Sequence, residues 1–362
     1  MYTVAQCLQA LDRRAPFSQA MSWDNCGLLI GGMDTQVTGV LTALDVTGPV
    51  IEEAVEKKAN LLITHHPVIF SPIKRLEAEG IPYRCISRGL SVISAHTNLD
   101  MAPGGVNTLL AQALELENTA PLEIIQTQAA RKIVVFVPES HGEAVYEAMS
   151  AAGAGKLGNY SKCAFLLEGE GRFYPMEGAH PAIGQVEALE KVQELRIEML
   201  VPPEKTAQVV AAMKEAHPYE TPAYDLFVNE AVTTSIFMGV VGECAQPKNP
   251  QAFAAFVKQA LHLDGLRYVD GGRPITRVAV CGGSGGDYIA LALRQGAQAL
   301  VTADIKHHQL LEAREMGLTL VDAGHFATEN LVVPQLAKWL RADLPGLSVE
   351  CSARSENPSR AL

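Results

Sequence analysis

The hydrophobic pattern of the first hundred residues alternates between segments typical of buried strands and segments typical of amphipathic helices. Residues 39–46 (GVLTALDV) and 60–64 (NLLIT) are short apolar runs, which predicts buried strands. Between them, residues 49–59 (PVIEEAVEKKA) have apolar positions at helical spacing and charges on one face. Such alternation predicts an α/β fold whose strands are largely covered on both faces.

The same pattern returns near the other end of the chain. Residues 277–304 align without a gap on residues 39–66 at a constant shift of 238, so that strand, helix and strand coincide. A second alignment, with one inserted residue, places His96 on His325 and Asp100 on Glu329 in the later stretch. The sequence therefore predicts a duplicated α/β unit whose two halves face a shared site. Chance similarity is the alternative, and two matches in the same order make it less favoured.

The middle of the chain has its own repeat. Residues 131–149 and 195–213 match at a shift of 64, and each reads as a strand, a Pro-containing turn and an amphipathic helix. Two strand–helix units of this size predict an inserted ferredoxin-like α+β domain. We therefore expect this insert at 127–231, inside a discontinuous α/β metal-binding domain formed by 1–126 and 232–362.

Two adjacent histidines, His65 and His66, follow directly after the predicted strand 60–64. In parallel α/β sheets, ligand sites form at the carboxyl ends of strands. Neutral imidazole is the commonest protein metal ligand, so both side chains are candidates to bind a metal. The alternative is a hydrogen-bonded histidine pair near a strand end, and the His-His pair alone does not decide between the two.

Two further strand ends each carry a histidine and a carboxylate four residues apart. If the segment after His325 is helical, His325 and Glu329 lie on one helical face, as a shared metal requires. Asp100 offers oxygen ligands after the strand that ends before His96. The alternatives are capping of the next helix by Asp100 and a solvent-facing first turn at Glu329, where the helix dipole favours an acidic residue.

Together, three strand-end motifs related by a repeat favour a metal site over these separate alternatives. The set comprises three imidazoles and two carboxylates, on His65, His66, Asp100, His325 and Glu329. Nitrogen and oxygen ligands without cysteine suit two borderline divalent ions that share a carboxylate or water, rather than a closed structural zinc site. A single-metal site is the alternative. Zinc, iron and manganese are the expected metals, and cobalt also tolerates such ligands.

Two more histidines are candidate catalytic residues that transfer protons, His96 and His308. His308 lies in residues 301–309 (VTADIKHHQ), the repeat partner of the first His-His segment, where Asp304 takes the place of His66. The alternatives are a supporting role behind the metal ligands and, for His308, an ordinary surface histidine pair.

Other motifs have weaker signals. Residues 281–287 (CGGSGGD) form a Gly-rich turn whose amides are a weak phosphate-binding candidate; a tight turn is preferred, because the dinucleotide and P-loop patterns are incomplete. Trp23 is predicted to pack rather than stack on a ligand. In the insert, residues 153–165 and 217–226 mix Gly, Tyr, His and Glu, and we prefer a turn or subunit interface over a pocket.

Charge and composition narrow the function. The 362 residues include 29 basic and 40 acidic side chains, a formal net charge of -11, which disfavours general nucleic-acid binding. No secretory signal and no run of roughly 18 apolar residues is evident, so no membrane association is expected. Seven scattered cysteines without a Cys-x-x-Cys pair suggest free thiols and a cytoplasmic location. The polar tail 352–362 is expected to fray.

These motifs, in this order, resemble the NIF-three-like (Ngg-interacting factor three-like) family, whose members are also named GTP cyclohydrolase I type 2 homologues. The resemblance covers nearly the full chain and rests on WDNCGLLIG, ITHHP, SAHTNLD, PGGVN, CGGSGGD, DIKHH and GHFATE. The insert is similar to that of the longer bacterial members, which resembles the PII/CutA-like ferredoxin fold. One departure concerns residues 302–308, where the family often has Thr-Gly-Asp-Ile-Lys-Tyr-His and this chain has Ala303 and His307.

The resemblance implies a dinuclear metal centre with the five ligands given above, and a homohexameric toroid whose metal sites face an internal cavity. It also implies a metal-dependent hydrolase that uses metal-activated water to open the ring of GTP or a nucleotide-like substrate, with a nucleotide or small phosphorylated ligand as the expected partner. The alternative is a metal-binding, metal-delivering or regulatory scaffold protein without turnover.

Overall fold

The structure is a computed structural model that describes residues 1–360. Its strands are β1 (Gly27–Ile30), β2 (Val40–Ala43), β3 (Leu61–Thr64), β4 (Ser91–Ser94), β5 (Glu117–Pro138), β6 (Ala164–Phe173), β7 (Glu190–Val201), β8 (Tyr224–Lys248), β9 (Arg267–Val269), β10 (Ile275–Ser284), β11 (Ala299–Ala303), β12 (Thr319–Asp322) and β13 (Val349–Cys351). Its α-helices are α1 (Val4–Asp12), α2 (Gly48–Glu56), α3 (Ile81–Ser87), α4 (Thr97–Asp100), α5 (Val106–Ala113), α6 (Gly142–Ala151), α7 (Thr206–Ala216), α8 (Pro250–Ala260), α9 (Ile289–Arg294), α10 (His307–Glu315), α11 (His325–Glu329) and α12 (Val332–Asp343).

These elements form a mixed α/β fold with two mixed sheets, which confirms the predicted α/β class. The chain divides into two compact units, one made of Met1–Ile125 with Ile236–Leu362 and the other of Gln126–Ser235. Strands β5 and β8 contain the points at which the chain leaves the first unit and returns to it. Among residues 1–360, no helix has the length and apolar character that crossing a membrane requires.

One sheet of the first unit has the strand order β1-β4-β3-β2-β13. Strands β13, β2, β3 and β4 are parallel to their neighbours, and β1 is antiparallel to β4. Every residue of β3 is buried, because alternate side chains enter different cores. Leu61 and Ile63 pack in a cluster with α1 and α12, and Leu62 packs in a cluster with α2. This sheet is therefore covered on both faces, as the apolar runs predicted.

The other strands of the first unit lie in the order β8-β10-β11-β12-β9. Here β10, β11 and β12 are parallel, and β8 and β9 pair antiparallel at the two sides. Val278 and Val280 pack against Phe253 and Val257 of α8, while Ala279 joins a cluster with Ala292 of α9. Both sets of parallel strands thus end in short loops that carry the candidate residues.

The second unit has the chain order strand, helix, strand, strand, helix, strand, with the sheet order β6-β7-β5-β8. This is the β-α-β-β-α-β arrangement of ferredoxin-like folds. Ile133 of β5 and Ile197 of β7 share a core with Val145 of α6 and Val209 of α7. Because side chains alternate along a strand, residues at even positions, such as Phe136, lie on the opposite face of this sheet.

The tail was expected to fray from residue 352 onward, and for its first residues this expectation is wrong. The buried carboxylate of Glu53 accepts hydrogen bonds from the backbone N–H groups of Ala353 (3.0 Å) and Arg354 (3.1 Å) and from the Ser352 hydroxyl. Lys57 Nζ lies 3.5 Å from the same carboxylate. Burial acts to raise the pKa of Glu53, but these bonds outweigh it and hold the pKa below its usual value.

We predict that Glu53→Gln destabilises the first unit by about 1–3 kcal/mol at pH 7. The reason is that the glutamine amide cannot accept all the hydrogen bonds that the carboxylate accepts, so some buried donors are left unsatisfied. Since the pKa of Glu53 is lowered by folding, its contribution is present above the ordinary pKa of the carboxyl and is lost as pH falls through the folded pKa. The difference between the two proteins should therefore shrink in acid. Urea unfolding followed by tryptophan fluorescence measures it.

Glu56→Gln is the matched control, because Glu56 lies on the same helix and pairs with Arg354 at the surface. An exposed pair contributes at most about 1 kcal/mol. Equal losses of stability in the two variants would contradict the structural role of Glu53.

Candidate metal centre

Three strand ends of the first unit bring six candidate side chains together. Two histidines follow β3, a histidine and an aspartate follow β4, and a histidine and a glutamate follow β12. They form three overlapping groups of possible metal ligands, each with its ligand atoms within 4.8 Å of one another. The groups are His65 with His66 and His96, His66 with His325 and Glu329, and His65 with Asp100 and Glu329.

Glu329 connects two of these groups through its two carboxylate oxygens. Its Oε2 lies 2.9 Å from Nε2 of His66 and 2.9 Å from Nε2 of His325. Its Oε1 lies 3.8 Å from Nε2 of His65. The Nε2 atoms of His66 and His325 are only 3.3 Å apart. One carboxylate therefore faces imidazoles from both ends of the chain.

The inner part of the cluster contains polar atoms that the protein leaves unpaired. His65 is fully buried, and its Nε2 lies 3.5 Å from Oδ1 of Asp100, beyond a good hydrogen bond. Within residues 1–360, Nε2 of His65 and Oδ1 of Asp100 are both buried without a hydrogen bond. Because unpaired buried polar atoms are costly, two such atoms beside the Glu329 carboxylate indicate a site for a further group.

All four imidazoles are held through Nδ1, which leaves Nε2 for the centre of the cluster. The partners are the Ala95 carbonyl for His65 (2.9 Å), Asp45 for His66 (2.7 Å), Asp24 for His96 (2.9 Å) and Asp304 for His325 (2.6 Å). Metal-binding histidines are typically oriented in this way, by a carboxylate or carbonyl on the other ring nitrogen.

The imidazoles nearest Glu329 favour the charged form. Burial lowers the pKa of His66, but hydrogen bonds to Asp45 and Glu329 outweigh it and raise the pKa to about 10. The hydrogen bond to Glu329, followed by the one to Asp304, raises the pKa of His325 to about 9 against the effect of burial. The pKa of His65 is also raised, because Asp100 and Glu329 outweigh its burial.

The two buried carboxylates are shifted in opposite directions. Burial raises the pKa of Asp100 to about 6, although the neighbouring His65 acts to lower it. Burial also acts to raise the pKa of Glu329, but the hydrogen bond from His325 and the charge of His65 hold it well below the usual value. The directions differ because imidazoles contact Glu329 closely, whereas burial and the charge of Glu329 dominate at Asp100.

The Gly-rich segment 281–287 borders this cluster. Its hydrogen bonds agree better with the predicted tight turn than with a phosphate-binding site. The N–H groups of Gly282, Gly283 and Gly285 donate to the side chains of Asn107 (2.9 Å), Thr328 (3.1 Å) and Thr302 (2.8 Å), so they are not free for an anion. Gly283 has φ +62°, and a Cβ there would collide with the Glu329 carboxylate. The glycine thus leaves room for Glu329.

The remaining sequence candidates occupy different positions. His96 lies in the cluster, with its ring centroid 5.2 Å from that of His65. Asp304, with φ +55°, contacts the cluster through His325. His308 is exposed on α10, and in the described part of the chain it belongs to none of the three ligand groups.

Sequence reasoning gave no role to Asp24 or Asp45, and it considered Gly283 only as part of the Gly-rich turn. Asp24 stands in the WDNC segment and Asp45 near the end of the predicted strand 39–46, so the signal was an acidic residue at a strand or turn end. Nothing in the spacing paired either residue with a histidine that is 21 or more residues away along the chain.

Open space and exposed aromatic rings adjoin the cluster. His66, Asp304 and His325 line an open cavity of about 880 Å³ that Arg267 and Arg360 also border. On the side of His96, the rings of Trp23 and Phe70 each lie 6.3 Å from its imidazole, centroid to centroid. Both rings are more than half exposed, so the expectation that Trp23 is packed is wrong.

A family profile and two bacterial proteins match nearly the whole length of this chain. The profile of the Duf34/NIF3 family (NGG1p interacting factor 3) matches residues 2–358. A Staphylococcus aureus (strain COL) protein named "GTP cyclohydrolase 1 type 2 homolog" is 38% identical over 364 residues, which cover 98% of this chain and 98% of the relative. A Bacillus subtilis (strain 168) protein of the same name is 38% identical over 361 residues, covering 98% and 97%.

A solved structure agrees with these matches. The crystal structure of a Bacillus cereus protein related to NIF3 superposes with a TM-score of 0.89 at 37% sequence identity, covering 100% of this chain and 99% of that one. The predicted family is thereby confirmed: the chain belongs to the Duf34/NIF3 (NGG1p interacting factor 3) family.

Proposed function

We propose that this chain is a metal-dependent hydrolase with a dinuclear centre that acts on a nucleotide-like substrate. The observation that carries the proposal is the position of Glu329, whose two oxygens face different imidazole groups. A carboxylate placed between two ligand groups is suited to bridge two ions. The first group is His66 with His325, and the second is His65 with Asp100.

The residues present fit such ions. Two buried ligand atoms lack hydrogen bonds, on His65 and Asp100, and both lie beside the Glu329 carboxylate. The donors are imidazole nitrogens and carboxylate oxygens, which zinc, iron and manganese accept. Bound divalent ions lower the pKa of water and polarise the bond to be cleaved, which is the chemistry that hydrolysis requires.

His96 is the protein group best placed to move a proton beside these ligands. Its Nδ1 is bonded to Asp24, which also accepts from the N–H (3.0 Å) and hydroxyl (2.6 Å) of Thr97. Burial acts to raise the pKa of Asp24, but these bonds lower it to about 2, so the carboxylate stays ionised and holds the His96 ring in place. The catalytic role of His308 stays a prediction.

Exposed rings and cationic side chains support a nucleotide-like substrate. Trp23 and Phe70 offer π-faces beside His96, and base–aromatic stacking is worth roughly 1–3 kcal/mol. Arg267 and Arg360 border the neighbouring cavity and suit phosphate groups, although Arg267 is paired with Asp322 and Arg360 lies 3.6 Å from Glu356. The names of the relatives suggest GTP as the first substrate to test.

A duplicated α/β unit is part of the proposal. The order β1-β4-β3-β2 corresponds to β9-β12-β11-β10, with an antiparallel strand next to three parallel strands in each set. The sequence repeat supports the same correspondence, because it aligns His96 with His325 and Asp100 with Glu329. We further propose, on the family resemblance, a PII/CutA-like second unit and a homohexameric assembly, which sedimentation velocity would test.

Metal delivery without turnover is a second candidate function. It is favoured by the exposure of the outer edge of the site, where the side chains of His325 and Asp304 are 36% and 52% exposed. Ligands at an open edge permit exchange of a metal with an acceptor. Transfer of the metal to an apo-acceptor, together with the absence of turnover, would favour this function over hydrolysis.

We predict that the purified protein contains about two divalent ions per chain, and that Glu329→Ala and His65→Ala each lose at least half of them. The reason is that Glu329 belongs to two ligand groups and His65 supplies a buried nitrogen to the second. Elemental analysis measures metal per chain, and thermal unfolding checks that the variants fold.

Glu315→Ala is the control for the metal prediction, because Glu315 is exposed on α10 and belongs to none of the ligand groups found in residues 1–360. Wild-type metal content in both site variants would refute the ligand assignment.

We predict that the metal-loaded protein turns over GTP or another member of a panel of nucleotides, and that Trp23→Leu raises KM about 5–10-fold with little change in kcat. The lost interaction is stacking on the base, which binds ground state and transition state alike. Phe70→Leu should act in the same direction. Met33→Leu, at an exposed residue, is the control. Failure of the metal-loaded protein on the entire panel would reject hydrolysis.

A further inference from the structure

The second unit contains a cavity of about 280 Å³ that the proposed hydrolase does not use. It lies among residues 136–223, all within that unit. Its walls include four aromatic rings and two carboxylates, on Phe136, Phe173, Tyr174, Tyr219, Glu194 and Glu220. Part of its wall comes from the segment 217–226, for which the sequence analysis preferred an interface or turn over a pocket.

A buried histidine fixes one wall of this cavity. His217 Nδ1 accepts a hydrogen bond from the N–H of Tyr219 (3.1 Å), and its Nε2 donates to the carbonyl of Phe136 (2.9 Å). Burial lowers the pKa of His217, which agrees with this neutral, singly protonated ring. The Tyr219 ring is thereby held near Phe173, with centroids 5.6 Å apart in an edge-to-face arrangement.

The carboxylates of the cavity have no cationic partner in the described residues. Glu194 accepts a hydrogen bond from the Tyr219 hydroxyl (3.0 Å), and Glu220 accepts one from the backbone N–H of His180 (3.1 Å). Neither makes an ion pair with a side chain of residues 1–360. Arg172 also lines the cavity, but its guanidinium is bonded to Glu170 at 2.6 Å. The net charge available to a ligand is therefore negative.

We propose that this cavity binds a small organic cation with an alkylated ammonium head. Aromatic faces attract such a cation through the ring quadrupole, and alkyl substituents on the nitrogen fill apolar space. Glu194 supplies the opposite charge in a partly buried setting, where a Coulombic attraction is stronger than in water, and the exposed Glu220 adds a second negative charge. The Phe136 ring already has the Arg196 guanidinium 5.9 Å from its centroid, so this wall accepts cations within the protein itself.

An anionic ligand fits the same walls poorly. Of the guanidinium groups nearby, Arg172 is paired with Glu170, and Arg196, whose Nε has no hydrogen bond in the described residues, is paired with Glu198 at 2.8 Å. An anion would meet Glu194 at the wall, and like charges at short distance repel.

The test compares choline with 3,3-dimethylbutan-1-ol, a neutral molecule of nearly the same shape, by calorimetric titration and saturation-transfer NMR on the full-length protein. We expect choline to bind about tenfold more tightly than the alcohol. Glu194→Gln keeps an acceptor for the Tyr219 hydroxyl and removes the charge, so it should reduce this preference about fivefold or more. Tyr219→Leu should weaken choline binding by a similar factor.

Glu168→Gln is the matched control, because Glu168 is exposed on β6 and does not line the cavity. Its choline affinity should equal that of the wild type. Equal affinity of the two probes, preference for acetate, or no saturation by choline at tens of millimolar would overturn the proposal. So would wild-type choline binding in both Glu194→Gln and Tyr219→Leu, because the binding would then lie elsewhere.

Discussion

The contact of the Glu329 carboxylate with three imidazoles is the constraint on which the rest of the site depends. The carboxylate is almost fully buried, so it requires positive charge or hydrogen-bond donors on both oxygens. Two of these imidazoles, on His65 and His66, come from the first half of the chain, and His325 comes from the same helical turn as Glu329. The ends of β3 and β12 must therefore meet, which explains why distant segments carry one site.

Much of this arrangement was readable in the sequence, because strand ends in a parallel sheet gather at one edge. The apolar runs located β2 and β3, and the His-His pair and the two His-x3-carboxylate pairs then followed at strand ends. Helical spacing brought His325 and Glu329 onto one face, and α11 keeps them on a single turn. This helix ends at Glu329, and α12 begins only at Val332.

The groups that orient the ligands could not be predicted from the sequence, for a physical reason. Asp24 and Asp45 contact His96 and His66 through side chains on loops, and loop conformation follows from tertiary contacts rather than from periodicity. The structure of the tail could not be predicted from the sequence for the same reason. Residues 352–354 look like a polar terminus, yet Glu53, some 300 residues earlier, binds them through three donors. Composition reports average exposure, whereas one buried carboxylate decides this local structure.

Comparison of the buried carboxylates separates structural from functional roles. Glu53 is also buried, but backbone N–H groups, a hydroxyl and Lys57 satisfy it, so it needs nothing from outside the chain. His65 and Asp100 each retain a buried atom without a hydrogen bond, at the ends of strands where the neighbouring ring nitrogens converge. A protein that needed only stability would gain by pairing or replacing such groups, since unpaired buried polar atoms cost free energy. Their retention beside the Glu329 carboxylate is therefore best explained by a cationic group that completes the site.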